Sequence, residues 1–189
     1  MPDQRRGKTA RLASLLTGGN RRSLAGVPNV LAVLRKHPER LGELIEALAD
    51  DDSVVRMRAA DALEKATREE PKLLRPYRRG LVSLAEHAEQ IEVRWHLALL
   101  LARLTHSTHQ LARILEILDT YLQDRSAIVR TLSMQALADL AAAHPKIRAE
   151  TRMKIWRLTE KGTPAMKARG RRLLKEMGVL IAPGGFEPP

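Results

Sequence analysis

The segment DSVVRMRAADALEKA, Asp52–Ala66, is written four times along the chain, and that recurrence leaves few folds open. Its later copies are VRWHLALLLARL (Val93–Leu104), VRTLSMQALADL (Val129–Leu140) and MKARGRRLLKEM (Met166–Met177). Their starts, at Val55, Val93, Val129 and Met166, lie 38, 36 and 37 residues apart. A period of about 35–47 residues, with one helix pair per unit, is the sequence mark of a helical solenoid.

Each copy writes its core in columns. With the first Val or Met counted as zero, positions 0, +4, +8 and +11 fall within an arc of about 80° on a helix. They read Val55, Ala59, Leu63, Ala66; Val93, Leu97, Leu101, Leu104; Val129, Ser133, Leu137, Leu140; and Met166, Gly170, Leu174, Met177. Position +5 is Ala60, Ala98 and Met134, mostly small, which lets neighbouring helices approach. In the fourth copy it is Arg171, which would be costly against a core. Arg171 therefore marks the fourth unit as a terminal one, since end repeats need a polar outer face.

The residues between copies supply the partner helices. Glu39–Ala49, Lys72–Ala85, Gln110–Leu122 and Lys146–Thr159 carry apolar residues at helical spacing, as in Leu111, Ile114, Leu115, Leu118 and Leu122. An earlier helix is expected at Val27–Lys36, with Pro28 where its missing N–H is tolerated. His37-Pro38, Glu70-Pro71 and His144-Pro145 punctuate the pattern, because the residue before proline disfavours the α region. Residues 1–22 read as a basic, flexible arm with at most a turn or two of helix around Ala10–Leu16 before Gly18-Gly19. Residues 23–177 form the repeat domain, and 178–189, ending PGGFEPP, read as a disordered tail.

The run Asp52-Ser53-Val54-Val55-Arg56, followed by Ala59-Ala60 and Ala62-Leu63, resembles the HEAT repeat, and the next two copies resemble it more loosely. The resemblance covers about residues 23–177. It implies an all-α, right-handed α-α superhelix, a short solenoid of about four to five helix pairs. It also implies that Asp52, Arg56, Arg94, Asp124 and Arg130 form a structural ladder between repeats. Proteins with such repeats are mostly binding scaffolds, and a fold shared by many functions licenses no activity.

Composition agrees with a helical chain: 44% of residues are apolar, only 3% aromatic, and Ala and Leu dominate. With no cysteine there is neither a disulfide framework nor a thiolate metal site. The longest strongly apolar run, Leu97–Ala102, is far too short to span a bilayer, and the N-terminus lacks the uninterrupted apolar stretch of a secretory signal. A cytoplasmic, monomeric protein is the expectation.

The net charge of +11 is concentrated at the ends. Residues 1–36 carry +7, residues 37–145 carry −3 and residues 146–178 carry +8, with Glu187 beyond. Basic ends of this kind suit a polyanion, through counterion release. The alternative is ordinary solubilising charge.

No nucleotide-binding, zinc-protease or nucleophile-elbow motif occurs. His106 and His109 sit at i, i+3 but lack a third ligand nearby in sequence, so no metal or cofactor is expected there. Asp50-Asp51-Asp52 lacks the glycine and distal glutamate of a calcium loop and reads as a helix-starting turn.

The informative side is the one opposite the core, at positions +2, +6, +9 and +13, which lines the concave surface in a HEAT-like stack. The first copy places Met57, Asp61, Glu64 and Arg68 there; the second Trp95, Leu99, Ala102 and His106; the third Thr131, Gln135, Ala138 and Ala142; the fourth Ala168, Arg172 and Lys175. An apolar stripe with a tryptophan anchor is what a protein or peptide interface uses. Alternatively, neighbouring helices cover it.

Two functions compete. The leading expectation is a non-catalytic scaffold whose partner, a protein or peptide, contacts Met57, Trp95, Leu99, His106 and Gln135. The alternative is phosphate-backbone binding of nucleic acid by Lys167, Arg169, Arg171, Arg172 and Lys175. In charge and in Trp95 the chain also looks like the HEAT-like DNA alkylation-repair glycosylases. It departs from them in having few aromatics and no acid on the Trp95 helix face.

Overall fold

Proline and the short capping side chains set where the helices start. In the computed structural model, which describes residues 11–18, 23–104, 107–179, 181–182 and 185–186, the pairs His37-Pro38, Glu70-Pro71 and His144-Pro145 each open a 3-10 turn. These turns are Pro38–Arg40, Pro71–Tyr77 and Pro145–Ile147. The described residues are helical almost throughout, in ten α-helices. The chain divides into two compact units, Met1–Leu73 and Leu74–Pro189.

The first unit holds α1 (Leu12–Leu15), α2 (Val27–Lys36), α3 (Leu41–Ala47) and α4 (Ser53–Ala66). Helix α2 has the expected bounds and begins after Gly26, whose φ of +83° is left-handed. A Cβ there would lie 1.7 Å from the carbonyl oxygen of Leu15, so the approach of α1 also demands glycine. Helix α4 starts where Asp52 Oδ1 accepts the Val54 N–H at 2.8 Å, a side-chain N-cap.

The first unit reaches further back than residue 23. Leu12 and Leu16 are fully buried, and the Leu12 N–H donates to Glu43 Oε2 at 2.8 Å. The fully buried Arg58 of α4 holds the same segment through its backbone. Its Nη1 donates to Leu16 O and Gly18 O, both at 2.6 Å, and its Nε to Ser23 O at 2.9 Å. Residues 1–10 and 19–22 of the expected arm lie outside the described residues.

The second unit holds α5 (Arg78–His87), α6 (Ile91–Ala102), α7 (Thr108–Leu122), α8 (Ala127–Ala143), α9 (Arg148–Lys161) and α10 (Pro164–Glu176). Successive second helices pack side by side, α6 on α8 and α8 on α10, while α7 and α9 pack beside them. Helix α5 is shorter than the sequence suggests. Pro76 supplies no N–H for an α-helical bond, and Pro71–Tyr77 stays 3-10. Ser107 and Gln110 form a capping box at the start of α7. In the tail segment Ile181–Ala182 pairs antiparallel with Gly185–Phe186, two residues each, and residues 180, 183–184 and 187–189 lie outside the described residues.

The core columns are where the repeat places them. Fourteen of the sixteen positions are buried; Ala66 and Met177, each the last of its column, are half-buried. Ala60, Ala98 and Met134 are fully buried, whereas Arg171 at the same position of α10 is exposed. Small residues matter at these contacts. A Cβ on Gly170 would lie 1.8 Å from Thr159 Oγ1 and 3.0 Å from Met134 Cε.

The ladder implied by resemblance has one clear rung. Arg94 of α6 pairs with Asp124, which precedes α8. Arg56 instead donates to the carbonyls of Asp50 and Asp51, closing the turn before its own helix.

Candidate partner-binding face

Helix α6 is apolar on every side, and its surroundings treat those sides differently. Leu97, Ala98, Leu100 and Leu101 are fully buried by neighbouring helices, while Trp95, Leu99 and Ala102 are half-buried. The two alternatives for the apolar helix thus divide by position. Helix packing accounts for the first four residues, and the second three keep an open edge. The Trp95 ring meets the His96 ring edge-on, with centroids 5.6 Å apart. A large amphipathic ring held by a neighbour loses little freedom on contact with a partner.

On α8 the corresponding positions are narrower. Thr131 and Ala138 are buried, Gln135 is half-buried and Ala142 is exposed. The Thr131 hydroxyl donates to its own helix at Ala127 O, 2.6 Å away. Gln135 Nε2 donates to Asp139 Oδ1 at 2.8 Å. Its Oε1 accepts from Arg169 Nη1 at 2.7 Å and from Arg172 Nη2 at 3.0 Å. Burial raises the Asp139 carboxyl above its ordinary 3.8, opposed by the Gln135 hydrogen bond and by the charges of Arg103 and Arg169.

The five cations of α10 separate onto two sides of the helix. Arg169 and Arg172 turn toward α8 and meet Gln135. Lys167, Arg171 and Lys175, at i, i+4 and i+8, form a row on another side, with Arg171 and Lys175 exposed. Among the described residues no hydrogen bond or ion pair engages this row.

Met57 is placed differently, 7% exposed in the first unit. Its helix carries Asp61 and Glu64, both buried and paired with Lys65 at 2.8 Å and Arg68 at 2.7 Å. His106 lies outside the described residues, and His109 is exposed on the first turn of α7. The first unit also has a cleft of about 510 Å³ walled by Leu31, Leu34, Leu41 and Leu73.

Sequence reasoning missed Arg103, Asp139 and Glu176 as members of the Gln135 cluster. The i, i+4 spacings Gln135–Asp139 and Arg172–Glu176 were a legible signal. The convergence of α10 on Gln135 was not.

No curated protein matches the chain. The crystal structure of an engineered protein, from the Northeast Structural Genomics Consortium, is similar in fold. It has a TM-score of 0.56 at 19% identity, over 88% of this chain and 78% of that one. No described helix is long and apolar enough to cross a membrane. The HEAT repeat domain family matches residues 19–177, spanning the buried columns, the proline-led helix starts and the Arg94–Asp124 rung, and the chain belongs to that family.

Proposed function

We propose that this HEAT-repeat chain is a non-catalytic scaffold that binds a protein or peptide partner along the side of α6 and α8 bearing Trp95, Leu99 and Gln135. The observation that carries the reading is the open edge of α6. Trp95 and Leu99 are half-buried on a helix whose Val93, Leu97, Leu100 and Leu101 are closed off. An aromatic and an aliphatic side chain, partly supported by their own fold, make an anchor with a small ordering cost on binding. Membership of a family that generally mediates protein interactions supports it.

The test places a photo-crosslinking amino acid at Leu99 or, as a control, at the exposed Ile128. The expected result is a discrete polypeptide adduct from Leu99 in extract of the source cells, suppressed by Trp95→Ala, and none from Ile128. Equal adducts from both positions would sink the reading.

A second reading has its own observation, the unengaged row Lys167, Arg171 and Lys175 on α10. Together with Arg169 and Arg172 it could follow a phosphate backbone. That reading requires binding of short duplex or single-stranded DNA that falls steeply with salt and is lost when Arg171, Arg172 and Lys175 become Glu.

A further inference from the structure

Two guanidinium groups in the second unit converge on one neutral atom. Arg169 Nη1 and Arg172 Nη2 both donate to Gln135 Oε1, at 2.7 and 3.0 Å. An amide oxygen accepts both bonds but cancels neither charge. A carboxylate in the same place would accept from both forks and neutralise one of them, and such charge-assisted pairs are roughly twice as strong as neutral ones.

The surrounding charges fit one carboxylate. Arg172 Nε lies 3.3 Å from Glu176 Oε1, and Asp139 feels both Arg103 and Arg169. Three cations and two carboxylates therefore share the cluster, leaving one positive charge. The cluster lies where α8 meets α10, and α6 also packs against α8. Leu99 on α6 and Gln135 on α8 occupy the same position of the repeated helix, so the half-buried Trp95 and Leu99 run alongside it.

We propose that Arg169 and Arg172 form a carboxylate-binding subsite. It takes an acidic side chain of an extended polypeptide whose apolar side chain rests on Trp95 and Leu99, displacing Gln135 Oε1. This rests on the protein-binding reading above and names the partner's chemistry. A phosphodiester strand fits less well, because Asp139 and Glu176 interrupt the cations and would face its evenly spaced charges. A single carboxylate on a flexible stem enters between them.

The test uses the full chain and a fluorescein-labelled peptide of three Leu-Ser-Glu-Ser repeats, followed by anisotropy. Its Leu-Ser-Gln-Ser counterpart is expected to bind about tenfold more weakly. Arg169→Gln with Arg172→Gln should bring the acidic peptide to that level and leave the glutamine peptide unchanged. Glu176→Gln, which removes a competing carboxylate, should tighten the acidic peptide about threefold. Trp95→Ala should weaken both peptides. Loss with Trp95→Ala but not with the arginine pair overturns this subsite and leaves the protein-binding reading standing. Indifference to all variants, or no binding of the acidic peptide, overturns both. Displacement of the peptide by oligothymidine, with oligothymidine binding itself lost in the arginine variant, assigns the cluster to phosphate and overturns the proposal.

Discussion

Arg94 Nη1 lies 2.5 Å from Asp124 Oδ2, joining α6 to the turn before α8 through a carboxylate whose side chain is 1% exposed. The same guanidinium stands 4.7 Å from the centre of the Tyr121 ring. The Tyr121 hydroxyl donates to Ala85 O at 2.7 Å, and burial pushes its phenol up to about 12. One rung thus links α5, α6, α7 and the start of α8. Asp124 Oδ1 also accepts the Ser126 N–H at 2.6 Å, setting the turn itself.

Asp124→Asn keeps a turn acceptor and removes the charge, leaving Arg94 without its carboxylate. The expected cost is about 3 kcal/mol, the low end for a broken buried pair because Arg94 keeps some water contact. Urea denaturation of the full chain measures it. A midpoint equal to the parent's would show that the rung contributes nothing.

Arg58 is a buried cation satisfied by backbone carbonyls of the first unit. Arg58→Met should cost about 3 kcal/mol, since Leu16 O, Gly18 O and Ser23 O lose charge-assisted donors. Arg58→Lys should rescue little, because a single ammonium cannot span the same three oxygens. Limited proteolysis should then cut first within residues 11–23. Cleavage unchanged from the parent would contradict this role.

Gly170→Ala should destabilise by about 2 kcal/mol or more, because its Cβ would meet Thr159 Oγ1 at 1.8 Å. Thr159→Ala removes that oxygen, so the double variant should recover part of the loss. Its Cβ, at 2.9 Å, still crowds the site. A double-mutant cycle on thermal unfolding reads the coupling, and strict additivity would refute the contact.

The first unit should weaken in acid through Glu43. Hydrogen bonding to Arg40, with help from the Leu12 N–H, holds its carboxyl below the ordinary 4.5, against partial burial. A depressed folded pKa means that the unfolded chain binds protons first. The stabilisation is therefore complete above about 4.5 and is lost as pH falls below it. Glu43→Gln should lower stability at neutral pH and flatten the acid limb. An acid limb identical to the parent's would exclude Glu43 as its source.

Periodicity made most of the scaffold readable. Val93, Leu97, Leu101 and Leu104 repeat at helical spacing, and all four are buried, because which face of a helix is apolar depends only on residues within that helix. The exposure of Arg171 followed from the +5 position it shares with Ala60, Ala98 and Met134. Where prolines interrupt the pattern the reading was coarser, as at Pro76, since apolar spacing does not distinguish a 3-10 turn from an α-turn. The last turns of α4 and α10, at Ala66 and Met177, also escaped it, because a column says nothing of where its neighbours end.

The candidate site belongs to the other category. Gln135 meets Arg169 and Arg172 across 34 and 37 residues, and Arg58 meets Leu16 across 42. Such meetings depend on the angle and register between helices. Those are set by how whole side-chain surfaces interlock, so no single helix carries them in its own spacing. Repeat and core are local properties of the chain, whereas the two arginines sharing one oxygen arise only once α8 and α10 have packed.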